Sequence, residues 1–462
     1  MFEAGIYSSR RSELKKLVGS GIILFLGNKN SPRNFSSMPY PFRQDSSFLY
    51  YWGLDFPDLA AIIDVDNDEE IIFGNDRTVD DIVWMGPDTP LAEKANKAGV
   101  NKTKALAELN DVIGRAVGEH RTVHFLPQYR SDNLIYLSDL TGIKAKFLNK
   151  YVSEKLIKSV VSQRSVKIKE EITEIEKALE ISFEMYFLAM RLTKPGIFEK
   201  DIARSIEGIA NLKGAGTSFG TIFSVHGEIL HNEYYGNLMK EDDIALLDSG
   251  AETDMHYASD ITRVIPVSGK FTEKQKDIYN IVLDSQMQAI EMIKEGVKFK
   301  DVHIKASTVI AEGLKNLGLM KGNVNDAVEN GAHALFFPHG LGHMMGLDVH
   351  DMESFGEDYV GYDDKVKRSN QFGLAYLRLG KELKSGYVVT VEPGIYFIPA
   401  LIDQWKAEKK HSDFINYDKV EEYKDFGGIR IEDDILVEAE GAKVLGKPIP
   451  KTIEEVELVC GK

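Results

Sequence analysis

The stretch Pro338-His-Gly-Leu-Gly-His-Met-Met-Gly-Leu-Asp-Val-His-Asp351 gathers three histidines, three glycines and a closing aspartate into fourteen residues. Alone it points only to a metal or proton-transfer site. Four carboxylates from other segments make it specific: Asp248 in LLDSG, Asp260 in ASDITR, Glu392 in VTVEPG and Glu432 in IRIEDD. Four carboxylates and one imidazole have the number and chemistry that two hard divalent cations with bridging oxygens require. The chemistry expected is metal-assisted hydrolysis.

Each acid alone has a plainer explanation. Asp248 before Ser-Gly fits a turn, Asp260 fits a cap or a partner for Arg263, and Glu432 with Asp433 and Asp434 fits a solvated charge run. Yet Asp248 ends the alternating strand 244–248, and Asp260 lies in a strand expected over 257–267. A turn near 252–254 makes these a hairpin, able to bring both acids to one face. Glu392 ends the β-rich run 387–391, and Glu432 sits in 429–437, where the alternation is imperfect. A single acid on an apolar strand is costly to bury without a partner, and a cation is such a partner. Asp433 and Asp434 stay in the solvated class or support the fold. His343 is the favoured nitrogen ligand. His339 and His350 flank it, and His231 in SVHGEILHNE is a candidate for the pocket wall. His226 forms a second pair with His231, and the remaining histidines, at 120, 124, 256, 303, 333 and 411, read as structural or surface groups.

Outward from these motifs, 462 residues are too many for one core and imply two unequal domains. A net charge of −16 argues against nucleic acid or an anionic membrane as the main partner. One cysteine, Cys460, excludes an intramolecular disulfide and suits a reducing compartment. The early apolar run 22–26 is too short to span a bilayer, and nothing resembles a signal peptide, so the cytoplasm is the expected location.

Residues 1–165 read as a small α/β domain. Strands are expected at 22–26, 60–65 and 71–73, with helices at 91–98 and 104–116. From Lys167 a helical period sets in through Ile168, Ile172, Ile175 and Leu179, which places the boundary near 165. The second domain, 166–462, contains an echo. Lys194-Pro-Gly-Ile-Phe-Glu-Lys-Asp-Ile202 returns as Lys294-Glu-Gly-Val-Lys-Phe-Lys-Asp-Val302, each copy set between two helices. Two halves related by a pseudo-twofold axis are expected, although K-x-G-[IV] is also a common helix-ending turn.

Taken together, these segments resemble the M24B metallopeptidase family, in its Xaa-Pro aminopeptidase (aminopeptidase P) and prolidase branch. FRQDSSFLYYWGLD (42–55) is similar to that branch's N-terminal domain, and the five later motifs, in order, to its catalytic domain. The resemblance implies an α/β (α+β) chain. A smaller α/β N-terminal domain would precede a C-terminal pita-bread (creatinase/aminopeptidase) domain with a pseudo-twofold repeat.

Carried over by motif, Asp248 would chelate one metal, His343 and Glu392 the other, and Asp260 and Glu432 would bridge both. The nucleophile would be a water or hydroxide between the metals, with Glu392 moving its proton. His350 and His231 match catalytic, substrate-contacting histidines. His339, Tyr396 and Arg430 match positions lining the proline side of the pocket. Asp248 and Asp260 stand one residue further apart than is usual in the branch, and a bulge near 254–256 would restore their shared face. Leu401–Phe426, with Trp405, reads as a lid, a dimer contact or a surface excursion.

The resemblance implies hydrolysis of the N-terminal Xaa-Pro bond of peptides by a dinuclear enzyme. Prolidase, which cleaves Xaa-Pro dipeptides, is the alternative with the same metal site. Two divalent ions are implied, Mn²⁺ by family and Co²⁺ or Zn²⁺ by affinity, together with a homodimer. Methionine aminopeptidase would not need the first domain. The complete ligand set argues against a metal-free amidinohydrolase or a binding module.

Overall fold

The structure is a computed structural model that describes residues 1–461. It forms two compact units. One is 1–164 together with 352–359, and the other is 165–351 together with the chain from 360 on. The short segment 352–359, just after the histidine stretch, thus groups with the first unit. Among the described residues no helix is long and apolar enough to cross a membrane.

The first unit is built on one sheet of β1 (Ile22–Leu26), β2 (Ala60–Asp64), β3 (Glu69–Phe73), β4 (Thr103–Lys104) and β5 (Val123–His124), in the order β4-β3-β2-β1-β5. β1, β2 and β3 are antiparallel neighbours, while β4 and β5 run parallel to theirs. Ile22, Leu24, Ile62, Ile71 and Phe73 present alternate side chains to Leu109, Ile113, Leu137 and Leu140 from two covering helices. The helix expected over 104–116 starts later, at Glu108. Lys102 and Lys104 carbonyls accept from Ile72 and Gly74 amides, so strand pairing overrides helical periodicity there. In FRQDSSFLYYWGLD, Asp45 caps the helix Ser46–Trp52 through the Phe48 amide at 2.9 Å, and Gly53 ends it at φ +64°.

The second unit repeats one plan twice. Helices Lys169–Leu192 and Glu199–Lys213 pack together, as do Glu273–Met292 and Phe299–Asn316. Both joining turns use a left-handed glycine, Gly196 at φ +85° and Gly296 at φ +86°. The Gly196 amide donates to Met239 O and the Gly296 amide to Leu383 O. Glu199 and Phe299 amides then donate to Asn237 O and Lys381 O, so the sequence echo is a structural one.

Each half contributes strands to the centre. Short β6 (Gly216–Thr217) pairs with β9 (Ala251–Glu252). β7 (Ile222–Ser224), β8 (Ile244–Ser249) and β10 (Ile261–Pro266) form one sheet, ordered β10-β8-β7. β11 (Val388–Val391), β14 (Asp433–Val437) and β15 (Ala442–Val444) form another, ordered β11-β14-β15. β12 (Gly394–Tyr396) pairs with β13 (Gly428–Arg430). The strand expected over 429–437 is therefore broken at Ile431–Glu432. There Glu432 leaves both ladders, its amide donating to Thr262 O at 3.1 Å.

Candidate functional site

β8 and β10 set the first two acids. Their register runs unshifted from Thr262↔Asp248 and Ile261↔Ser249 to the bridge Glu252↔Ala258. The hairpin closes through Thr253 N to Tyr257 O, leaving the three-residue loop Asp254–His256, in which His256 takes φ +65°. An odd-numbered loop gives residues of equal parity the same face, so Asp248, Asp260 and Thr262 point one way. His256 N donates to Thr253 O at 2.8 Å, so a type I turn is followed by a left-handed residue, the bulged form of a three-residue hairpin loop. The bulge expected near 254–256 lies in the turn itself, and the strands on either side keep their register.

The histidine stretch lies alongside β11. Thr390 N donates to His343 O at 3.0 Å, Glu392 N to Leu341 O at 2.8 Å and Met345 N to Val388 O at 3.0 Å. Gly342 makes this approach possible, because a Cβ there would sit 2.0 Å from Thr390 O. The pairing delivers His343 beside Glu392, with Nε2 3.8 Å from Glu392 Oε1 and 3.4 Å from Asp260 Oδ2. His343 Nδ1 donates to Met344 O at 3.0 Å. That fixes the tautomer and turns the Nε2 lone pair towards the carboxylates, the arrangement a metal-ligating histidine adopts.

Asp248, Asp260, His343, Glu392 and Glu432 all line one cavity of about 620 Å³, as do His231, His339, His350 and Arg430. Donor atoms of Asp260, His343 and Glu432 lie within 4.8 Å of one another. Asp248 Oδ2 pairs with Arg430 Nη2, while Asp248 Oδ1 and Asp260 Oδ1 are buried without a hydrogen-bond partner. Burial first, and then the neighbouring carboxylates, push Asp260 and Glu432 well above the usual acid range, and burial pushes Glu392 up as well. So many desolvated, mutually repelling acids, two of them with an orphaned oxygen, fit bound cations and little else.

Tyr396 is placed differently from expectation. Its ring is fully buried behind the cavity wall. Arg430 Nη1 donates to the Tyr396 hydroxyl at 2.8 Å, and that hydroxyl donates to His339 Nε2 at 2.8 Å. His339 Nδ1 in turn donates to Gly340 O at 2.8 Å. Burial, followed by the Arg430 charge, lowers His339 to about 3, so this ring stays neutral and keeps its acceptor role. The His350 ring packs 4.2 Å from that of His343.

Two further expectations are corrected. Asp433 and Asp434 are not a solvated run, being 4% and 0% exposed. Asp434 Oδ2 accepts the Asp260 amide at 3.1 Å, and Asp433 takes Arg263 Nη2 and Lys451 Nζ, each at 2.7 Å. Arg263 therefore pairs with Asp433, not Asp260. Within 401–426, Pro399–Ala407 is helical. Leu401 faces the cavity, while Trp405 is buried against Phe372 with ring centroids 5.6 Å apart.

Sequence reasoning missed two partners, Thr262, which donates to Glu432 Oε2, and Thr390, which receives the His343 amide, while Asp434 takes the supporting role that was its alternative reading. Each lies two residues from a predicted ligand, so strand periodicity was the signal available. Arg378, Phe219 and Tyr376 also line the cavity and carried no motif. Glu233, the last residue of SVHGEILHNE, lines it too and was not singled out.

The profile described as metallopeptidase family M24 matches residues 173–439, and that described as aminopeptidase P, N-terminal domain, matches 7–124. A protein of Uncinocarpus reesii named "Probable Xaa-Pro aminopeptidase" is 33% identical, across 96% of this chain and 90% of its own length. A namesake in Aspergillus fumigatus is 30% identical, across 95% and 92%. A variant of Escherichia coli aminopeptidase P in complex with substrate superposes with a TM-score of 0.82 at 27% identity, covering 100% of this chain and 98% of that one. The zinc-substituted Escherichia coli enzyme in complex with product gives 0.81, also at 27% identity and with the same coverage.

Proposed function

This chain belongs to metallopeptidase family M24, and from that membership and the cavity's geometry we propose that it is an Xaa-Pro aminopeptidase. It removes the N-terminal residue of peptides whose second residue is proline. The single observation that carries this is the coincidence, in one cavity, of the complete acid-histidine set with Arg430 and His339, which Tyr396 links from behind the wall. The relatives' names favour aminopeptidase P over prolidase.

Asp248 would hold one divalent ion, His343 and Glu392 the other, and Asp260 and Glu432 would bridge them. When bound, the pair would polarise the scissile carbonyl and lower the pKa of an attacking water. Glu392 takes that water's proton and passes it to the departing prolyl nitrogen. His350 and His231 face the cavity to contact the peptide around the scissile bond. His339, held neutral, and Arg430 form the polar edge of the proline pocket. Tyr396 acts from behind by fixing both. Residues 1–165 form the aminopeptidase P-like domain and 166–462 the catalytic domain in this proposal, which the two matched spans support. Manganese as the native metal, a homodimer and a cytoplasmic location belong to the same proposal.

The test is hydrolysis of an Xaa-Pro dipeptide and an Xaa-Pro-Xaa tripeptide by the Mn²⁺-loaded protein, with an EDTA control. Cleavage of the tripeptide at its first bond is expected. Cleavage of the dipeptide alone would make the protein a prolidase. Activity indifferent to EDTA, or equal rates after replacing proline by alanine, would overturn the assignment.

A further inference from the structure

Five carboxylates line the cavity: Asp248, Asp260, Glu392, Glu432 and Glu233. The first four are committed to the metal set. Glu233 is exposed, and among the described residues nothing hydrogen-bonds or ion-pairs with its side chain. Its backbone, in contrast, is pinned on both sides. Asn232 is buried, donating through Nδ2 to Ser224 Oγ at 2.9 Å, while its Oδ1 accepts the Tyr234 amide at 3.0 Å. The Tyr235 hydroxyl donates to Thr221 O. Beneath this turn, the fully buried Glu199 accepts from Ser224 Oγ at 3.0 Å and from Asn237 Nδ2 at 3.0 Å. A turn this well anchored holds an unpaired carboxylate at the cavity wall.

The wall around it is apolar. Phe219, Ile222 and Leu230 line the same cavity, and a Cβ on Gly220 would lie 3.7 Å from Glu233 Oε1. His231, two residues before Glu233, is proposed above to contact the peptide around the scissile bond, so the residue before proline lies within reach of this segment. Apolar lining beside a carboxylate with no hydrogen-bond or ion-pair partner among the described residues matches a long aliphatic stem carrying a terminal cation.

We propose that Glu233 selects peptides whose N-terminal residue, before proline, is lysine or arginine. The inference rests on the aminopeptidase function above.

The test compares kcat/KM of the Mn²⁺-loaded enzyme for Lys-Pro-Ala, norleucine-Pro-Ala and Glu-Pro-Ala, in wild type, Glu233→Gln and Glu233→Lys. Wild type should prefer lysine over norleucine at least about threefold, mainly through KM, with the preference fading as salt is raised. Glu233→Gln should erase that preference, and Glu233→Lys should shift it towards Glu-Pro-Ala. A lysine/norleucine ratio near one in wild type, or one unaltered by Glu233→Gln, overturns the proposal. Equal slowing of all three peptides by Glu233→Gln also overturns it, because Glu233 would then be binding the α-ammonium they share. Failure of wild type to cleave any of them would instead defeat the aminopeptidase assignment.

Discussion

Thr262 Oγ1 donates to Glu432 Oε2 across 2.6 Å and accepts from Arg430 Nε at 3.1 Å. One hydroxyl therefore orients both a proposed bridging carboxylate and the arginine of the proline pocket. Thr262→Val keeps the shape and removes the hydroxyl. Metal affinity should fall by about tenfold, the usual loss when a ligand's supporting hydrogen bond is removed. Titration of the metal-free protein with Mn²⁺ measures this, and an unchanged affinity would show that Glu432 needs no such support.

Asp260 stands between His343, Asp434 and the other acids, with one oxygen unpartnered. Asp260→Ala should abolish both bound metal and hydrolysis. Metal content by mass spectrometry decides the point, since full stoichiometry with full activity would remove Asp260 from the ligand set.

His350 packs on His343 but carries no proposed bond to metal. His350→Ala should retain the metal while slowing turnover by about a hundredfold, the size of loss expected when the reacting bond is no longer held in position. Loss of metal in this variant would mean that a ligand had been mistaken for a substrate contact.

Arg263 is 1% exposed and ties Asp433 to the carbonyls of Thr262, Glu432, Ile449 and Pro450. Arg263→Ala strands the Asp433 charge with Lys451 as its remaining cation. Breaking one partner of a buried ion pair costs about 3–5 kcal/mol. Urea unfolding of the metal-free protein should report a loss of that size. A change below about 1 kcal/mol would show that Lys451 suffices together with Gln286, whose Nε2 donates to Asp433 Oδ2 at 3.1 Å.

Much of this was legible without a fold. The spacing of Ile168, Ile172, Ile175 and Leu179 marked the long helix 169–192, and the repeated K-x-G-[IV] turn announced two related halves. The acids and His343 were identifiable because carboxylates on apolar strands are rare without a partner. Local spacing was a poor guide where pairing was non-local. Lys104 joined a strand, and the run 429–437 broke at Glu432 to reach Thr262.

The sequence by itself determined the residue types at the site, the two-part organisation and the twelve-residue interval between Asp248 and Asp260. Only the tertiary structure decided that this interval keeps both acids on one face, through the left-handed turn at His256. It also buried Asp433 and Asp434, withdrew Tyr396 behind the wall and left Glu233 unpaired in the cavity. The reason is physical. Residue chemistry and short-range period are properties of adjacent positions, whereas burial, register and the partner of a charge depend on segments that meet only when the chain has folded.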